Sequence, residues 1–213
     1  AALLETIASR CQPVDFAPLP VEAIEAALPA GDPDELAAAT RLSAGDLDLA
    51  RFLLSDPGRE LRALAIGWGG AGGPPAPWRR LLEIAETAGE DAEAAARKAL
   101  EADKDAGLKR SARDISDAAK RAGRRRRTEL LDLGLNLTVA WFRDLAATAS
   151  GAADVAYNRD RLPQLQPVAA DLDPNRARQA AELVQDTRRR LDLNVSEELA
   201  LEALSFRLAA VLG

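Results

Sequence analysis

Histidine is absent from the 213 residues, and cysteine occurs once, as Cys11. Without histidine there can be no Ser-His-Asp triad and no imidazole acid–base catalyst. One thiol and no imidazole also leave the usual zinc and iron ligand sets unfilled, so no metal or other cofactor is expected. A lone thiol makes no internal disulfide, so nothing points to an oxidising compartment. Aromatic residues make up 4 % of the chain and Val and Ile are sparse, which leaves little material for a sheet. No apolar run approaches the roughly 20 residues of a membrane span. The most apolar stretch, Leu130 to Ala146, is interrupted by Asp132, Asn136, Arg143 and Asp144. No signal peptide pattern is visible. The chain lacks an initiator Met and opens directly into a helical pattern, as expected of a piece of a longer protein.

What the chain has in quantity is Ala, Leu, Arg and Glu, all good helix formers. With 47 % hydrophobic and 29 % charged residues it has the balance of a globular protein that can bury a sizeable core. The expected fold class is all-α. The net charge is −6, unevenly spread. Lys104 to Arg127 holds ten Lys/Arg and three Asp, a local +7 that leaves −13 for the rest. An even −6 would repel nucleic acid, but this distribution allows one basic face.

Helix signals divide the chain in two. A short helix is expected over Ala2–Arg10, then an extended piece, Val14–Phe16. Helices follow over Val21–Leu28, over Leu36–Leu42 behind the capping sequence Asp32-Pro33, over Leu47–Leu54 ended by Asp56-Pro57-Gly58, and over Glu60–Ile66. The run GWGGAGGPPAP, residues 67–77, has the composition of a linker. Beyond it five longer helices are expected: Pro77–Ala88, Glu90–Leu108, Arg113–Thr148, one from Asp173-Pro174 to Leu191, and a last one starting after Asn194. Its apolar stripe would be Leu201, Leu204, Leu208 and Val211. The expected organisation is a small helical bundle over 1–66, a linker over 67–77 and a second helical domain over 78–213.

Three short sequences carry more than fold. Thr6-Ile7-Ala8-Ser9-Arg10-Cys11-Gln12, followed by Phe16-Ala17-Pro18-Leu19, resembles the SRC motif of clamp loader subunits of the AAA+ family. Read by itself, Arg10 is simply a basic residue at a helix C-terminus. The segment Arg124–Leu131 leading into Trp141-Phe142-Arg143-Asp144-Leu145 resembles the C-terminal domain of the delta-prime class of that family in bacterial DNA polymerase III. Asn194–Leu204 resembles the closing N-x-x-x-x-L-x-L-E-A-L element of the same domain. On the residues alone, Trp141 and Phe142 are core or interface aromatics and Arg143 and Asp144 pair locally.

The resemblance implies that 1–66 is the end of an AAA+ core with its helical lid. It implies that 78–213 is a collar domain through which loader subunits form a ring, and that the setting is cytoplasmic. Its partners would be the delta and tau/gamma subunits and, indirectly, the sliding clamp and primer–template DNA. In the family the motif arginine reaches into a neighbour's ATP site; by resemblance Arg10 takes that part, a permanently charged guanidinium stabilising phosphoryl transfer in trans. Ser9 would bond locally and Cys11 would pack. Where such lids carry a nucleotide-sensing arginine, Gly45-Asp46-Leu47-Asp48-Leu49-Ala50 places Asp48, which would repel phosphate. Gly67–Gly73 lacks the GK[ST] ending of a phosphate loop. No ATP hydrolysis by this piece is expected, although the assembled complex would count as a DNA-directed DNA polymerase. The degenerate site fits delta-prime better than the ATP-hydrolysing tau/gamma type, a reading that an upstream phosphate loop would reverse. Without interleaved aromatics, the basic segment 104–127 reads either as a nucleic-acid contact or as a solvated face that pairs with acidic surface. A helical nucleic-acid-binding protein acting through that segment is the rival reading.

Overall fold

The computed structural model describes residues 17–68, 76–105, 111–193 and 195–213. Among them are nine α-helices, two short 3-10 turns and no strand, as the composition requires. The helices are α1 (Val21–Ala27), α2 (Pro33–Leu42), α3 (Leu47–Leu53), α4 (Asp56–Gly67), α5 (Pro77–Asp105), α6 (Ala112–Ala149), α7 (Leu162–Ala170), α8 (Pro174–Leu191) and α9 (Glu197–Leu212). The 3-10 turns, Ala153–Val155 and Arg159–Arg161, lie between α6 and α7. The helix expected over 2–10 and the extended piece at 14–16 fall outside the described residues.

Local chemistry starts most of these helices. The Asp32 carboxylate accepts from the Asp34 and Glu35 amides at 2.9 and 3.0 Å, and Pro33 occupies the first turn of α2. Asp173 and Pro174 repeat the device at α8. Ser111 and Asp114 form a reciprocal capping box at the head of α6. Asp56-Pro57-Gly58, expected to end a helix, instead opens α4 behind Ser55. A proline is tolerated in a first turn, where its missing N–H has no partner to lose. The last helix begins at Glu197 rather than just after Asn194: Ser196 caps it through the Leu199 amide, and Glu197 turns to Arg127.

α6 is the axis of the fold. It packs along α5 and α8 and also meets α4 and α7. Trp141, Phe142, Leu135 and Leu145 on it are fully buried, each worth roughly 1.5–3 kcal/mol of apolar burial. They join a single apolar cluster containing Leu61 and Leu64 of α4, Leu81 of α5, Leu165 of α7, Val184 of α8, and Leu201, Leu204 and Leu208 of α9. Trp68 and Trp78, on either side of 69–75, are both buried, so the cluster is continuous across the linker-like run.

Two expected helices, Pro77–Ala88 and Glu90–Leu108, are one continuous helix through Gly89. Gly89 is no break; it is a contact. A Cβ there would lie 3.1 Å from the Gly123 carbonyl oxygen, and a Cβ on Gly123 would lie 2.8 Å from that of Gly89. Two hydrogens at the crossing let α5 and α6 approach backbone to backbone. Gly134, three turns further along α6, makes room for Leu81 in the same way. Replacing Gly123 with Ala gains about 1 kcal/mol of helix propensity. It also drives a methyl into a carbonyl that no rotamer change can move, an overpacking cost of about 1–3 kcal/mol. We expect Gly123→Ala to lower the melting temperature by several degrees in a calorimetric scan; an unchanged or raised value would contradict the close crossing. The second half still contains five helices, but differently composed: α5 merges two, and α7 was not expected.

Candidate functional site

Arg10, with Ser9 and Cys11, lies outside the described residues. Asp48, at the position of the lid arginine, sits on α3 with its side chain 94 % exposed and Arg51 at 3.6 Å. Among the described residues no group of His, Cys, Asp or Glu is arranged to hold a metal ion. No described helix is long and apolar enough to cross a membrane.

Trp141-Phe142-Arg143-Asp144 does more than the sequence indicated. The two aromatics fill the core, while Asp144, fully buried, anchors the loop that follows α6. Its carboxylate accepts from the Tyr157 amide at 3.0 Å and from the amide and side-chain nitrogen of Asn158 at 2.8 Å each. Arg143 pairs with it at 3.2 Å, as expected, and stacks over the Tyr157 ring at 3.9 Å. From the other side Arg62 of α4, 2 % exposed, donates to Asp160 at 2.6 Å and to the Asn158 side chain at 3.3 Å. Arg41 of α2 donates to the Ala156 carbonyl at 2.7 Å. Loop 156–161 is thus gripped by α2, α4 and α6, tying the first helices to the axis. Arg161 beside it has its pKa lowered, by burial first and then by the neighbouring Arg62 charge. Arg59 of α4 adds an outer clasp to Glu35, with contacts of 2.6 and 3.1 Å, and its hydrogen bonds hold that carboxyl below the ordinary range.

The basic run divides between inside and outside. Arg127 turns inward to Glu86 of α5 at 2.5 Å and to Glu197 of α9. Burial opposes its charge, but the two carboxylates more than offset this and its pKa is raised. Arg126 lies over the Phe52 ring, 5.5 Å from its centroid, and within 3.8 Å of Glu129. Lys120, Arg121, Arg124 and Arg125 face solvent. Four consecutive arginines therefore do not act as one stripe: two hold helices together and two face outward.

α9 is apolar on two opposite faces. Leu201, Leu204 and Leu208 enter the core. Leu199 and Phe206, on the other side, are 66 % and 71 % exposed, with Ala203 and Ala210 completing an i, i+4, i+7, i+11 seam. Leu193 and Val195, just before the helix, are exposed too. Seven large apolar side chains are exposed among the described residues, and these four fall within one stretch of 14 positions. Scattered exposed apolar residues need no explanation; a clustered seam is a candidate contact surface.

Comparison with family models, with curated proteins and with solved structures gives no match for this chain.

Proposed function

We propose that this chain is the C-terminal part of a non-catalytic clamp loader subunit of bacterial DNA polymerase III, of the delta-prime class. In this reading residues 1–66 end the AAA+ core and form the lid, 67–77 are a linker, and 78–213 are the collar domain that holds the subunit in the loader ring. The observation that supports it best is the outward apolar seam of α9, Leu199 to Ala210, which begins within the segment Asn194–Leu204 that resembles the family's closing element and runs on past it. A collar helix needs one face for its own core and one for a neighbour, and α9 has one apolar face buried and a second exposed. The order of the three motif-like sequences adds support from the chain itself. The neighbours would be delta and tau/gamma subunits, with the sliding clamp and primer–template DNA reached through them.

Arg10 is the residue through which such a subunit takes part in chemistry, by lending its guanidinium to the triphosphate of an adjacent ATP site. Arginine fingers of this kind contribute about 10³–10⁵ in rate. Arg10→Ala in the full-length subunit should therefore slow ATP hydrolysis by the assembled loader at least tenfold at the one site it serves, while assembly persists. Single-site turnover equal to wild type would remove Arg10 from this role.

A further inference from the structure

The outward half of the basic run has a property that the fold does not use. Among the described basic side chains, five have neither an acid nor any other partner: Lys98, Lys120, Arg121, Arg124 and Arg125. Four of the five are contiguous on α6. At 100° per residue, positions 120, 121, 124 and 125 fall within about 140° of arc and about 7.5 Å of helix axis. Their opposite side, Ala119 and Gly123, is buried against α5. Arg113, two turns earlier on the same side, is occupied by Asp117 at 3.9 Å. The protein is acidic overall, at −6, yet here it sets four unneutralised charges side by side. Like charges so placed repel one another, a cost that the fold does not recover.

We infer that Lys120, Arg121, Arg124 and Arg125 form a site for the phosphodiester backbone of duplex nucleic acid. Three observations select this occupant. The patch has no apolar member: Asp117 and Thr128 flank it, and all four cations are exposed. A protein partner needs a desolvated apolar centre, which this face lacks and the α9 seam has. Nucleic-acid backbone needs only cations. No aromatic residue lies on this face, so there is nothing on which the bases of a single strand could stack. Recognition would be independent of sequence, through phosphates alone. The inference does not depend on the loader reading; it concerns α6, and the α9 seam plays no part in it.

The test is fluorescence anisotropy of a labelled 20-base-pair duplex titrated with the whole chain across a salt series. Four phosphate contacts predict a slope of log K against log salt of about −3.6, or about 150-fold weaker binding at 200 mM than at 50 mM salt. Single variants R121Q and R124Q should each reduce that slope by about 1. The quadruple variant K120Q/R121Q/R124Q/R125Q should abolish binding, whereas R189Q/R190Q, which removes two arginines of α8 that Asp186 occupies, should bind as wild type. Circular dichroism checks that each variant is folded, and the single variants decide the matter if the quadruple one is not. No duplex binding by wild type at 50 mM salt would overturn the proposal, as would equal losses in the α8 control. Tighter binding of a polyglutamate peptide than of duplex would overturn it in favour of an acidic protein partner.

Discussion

Asp144→Ala should lower the melting temperature by on the order of 10 °C and free the loop after α6. The alanine leaves the Tyr157 and Asn158 amides and the Asn158 side-chain nitrogen without their acceptor in a buried setting. It also strips Arg143 of its carboxylate. Removing one partner from a buried charged network costs about 3–5 kcal/mol, because the desolvated donors stay behind. For a chain of this size each kcal/mol corresponds to about 2–4 °C. Asp144→Asn should fall between, since one oxygen still accepts while the amide presents a donor to donors. Trypsin offers an independent reading: Arg159 and Arg161, held in the gripped loop, should become early cleavage sites in the alanine variant. A melt within a degree of wild type and an unchanged digest would mean that the carboxylate does not hold the loop.

The second large effect concerns association rather than folding. Leu199→Asp combined with Phe206→Asp places two charges on the seam of α9, where both native side chains are mostly exposed. Surface changes of this kind alter stability by about 0.5 kcal/mol or less, so the isolated chain should melt as wild type. In an assembly the same two side chains would each contribute roughly 1.5–3 kcal/mol of apolar burial. Losing both weakens association by about 10²–10⁴-fold, before any cost of burying the new carboxylates. Sedimentation of the full-length protein with the tau/gamma and delta subunits of the proposed loader should show a complex for wild type and free subunit for the double variant. Retained assembly would show that the seam is not a subunit contact.

Capping chemistry was legible at three helix starts, because a cap and the amides it serves lie within three residues. It was misread at Asp56-Pro57-Gly58, which opens a helix, and at Asn194, where Ser196 is the cap. Asp32-Pro33, Asp46 and Asp173-Pro174 start helices where their side chains say they should. The long helix α6 was legible for the related reason that nothing in it forbids a helix. Gly89 was misread because its reason lies on another helix: Gly123, 34 positions on, is what makes it a packing residue. α7 went unread because Pro163 and Pro167 look like breakers, although Pro163 lies in the first turn. The gripped loop was invisible for the same cause as Gly89. Arg62 meets Asp160 across 98 positions, and no local pattern marks either residue for burial. The split of Arg124–Arg127 follows from helical geometry, but which arginines turn inward depends on where Glu86 and Glu197 come to lie. The second apolar face of α9 was in the letters: Leu199, Ala203, Phe206 and Ala210 interleave with the core stripe, and only packing separates the two.

In the proposed loader, α9 serves its own core with one face and a neighbouring subunit with the other. The most direct test replaces Phe206, and separately Leu199, with the photo-crosslinking residue benzoylphenylalanine in the full-length subunit and irradiates the reconstituted loader. A covalent product from both positions to another loader subunit, identified by mass spectrometry, is expected. A loader that assembles yet yields no crosslink from either position would contradict that arrangement.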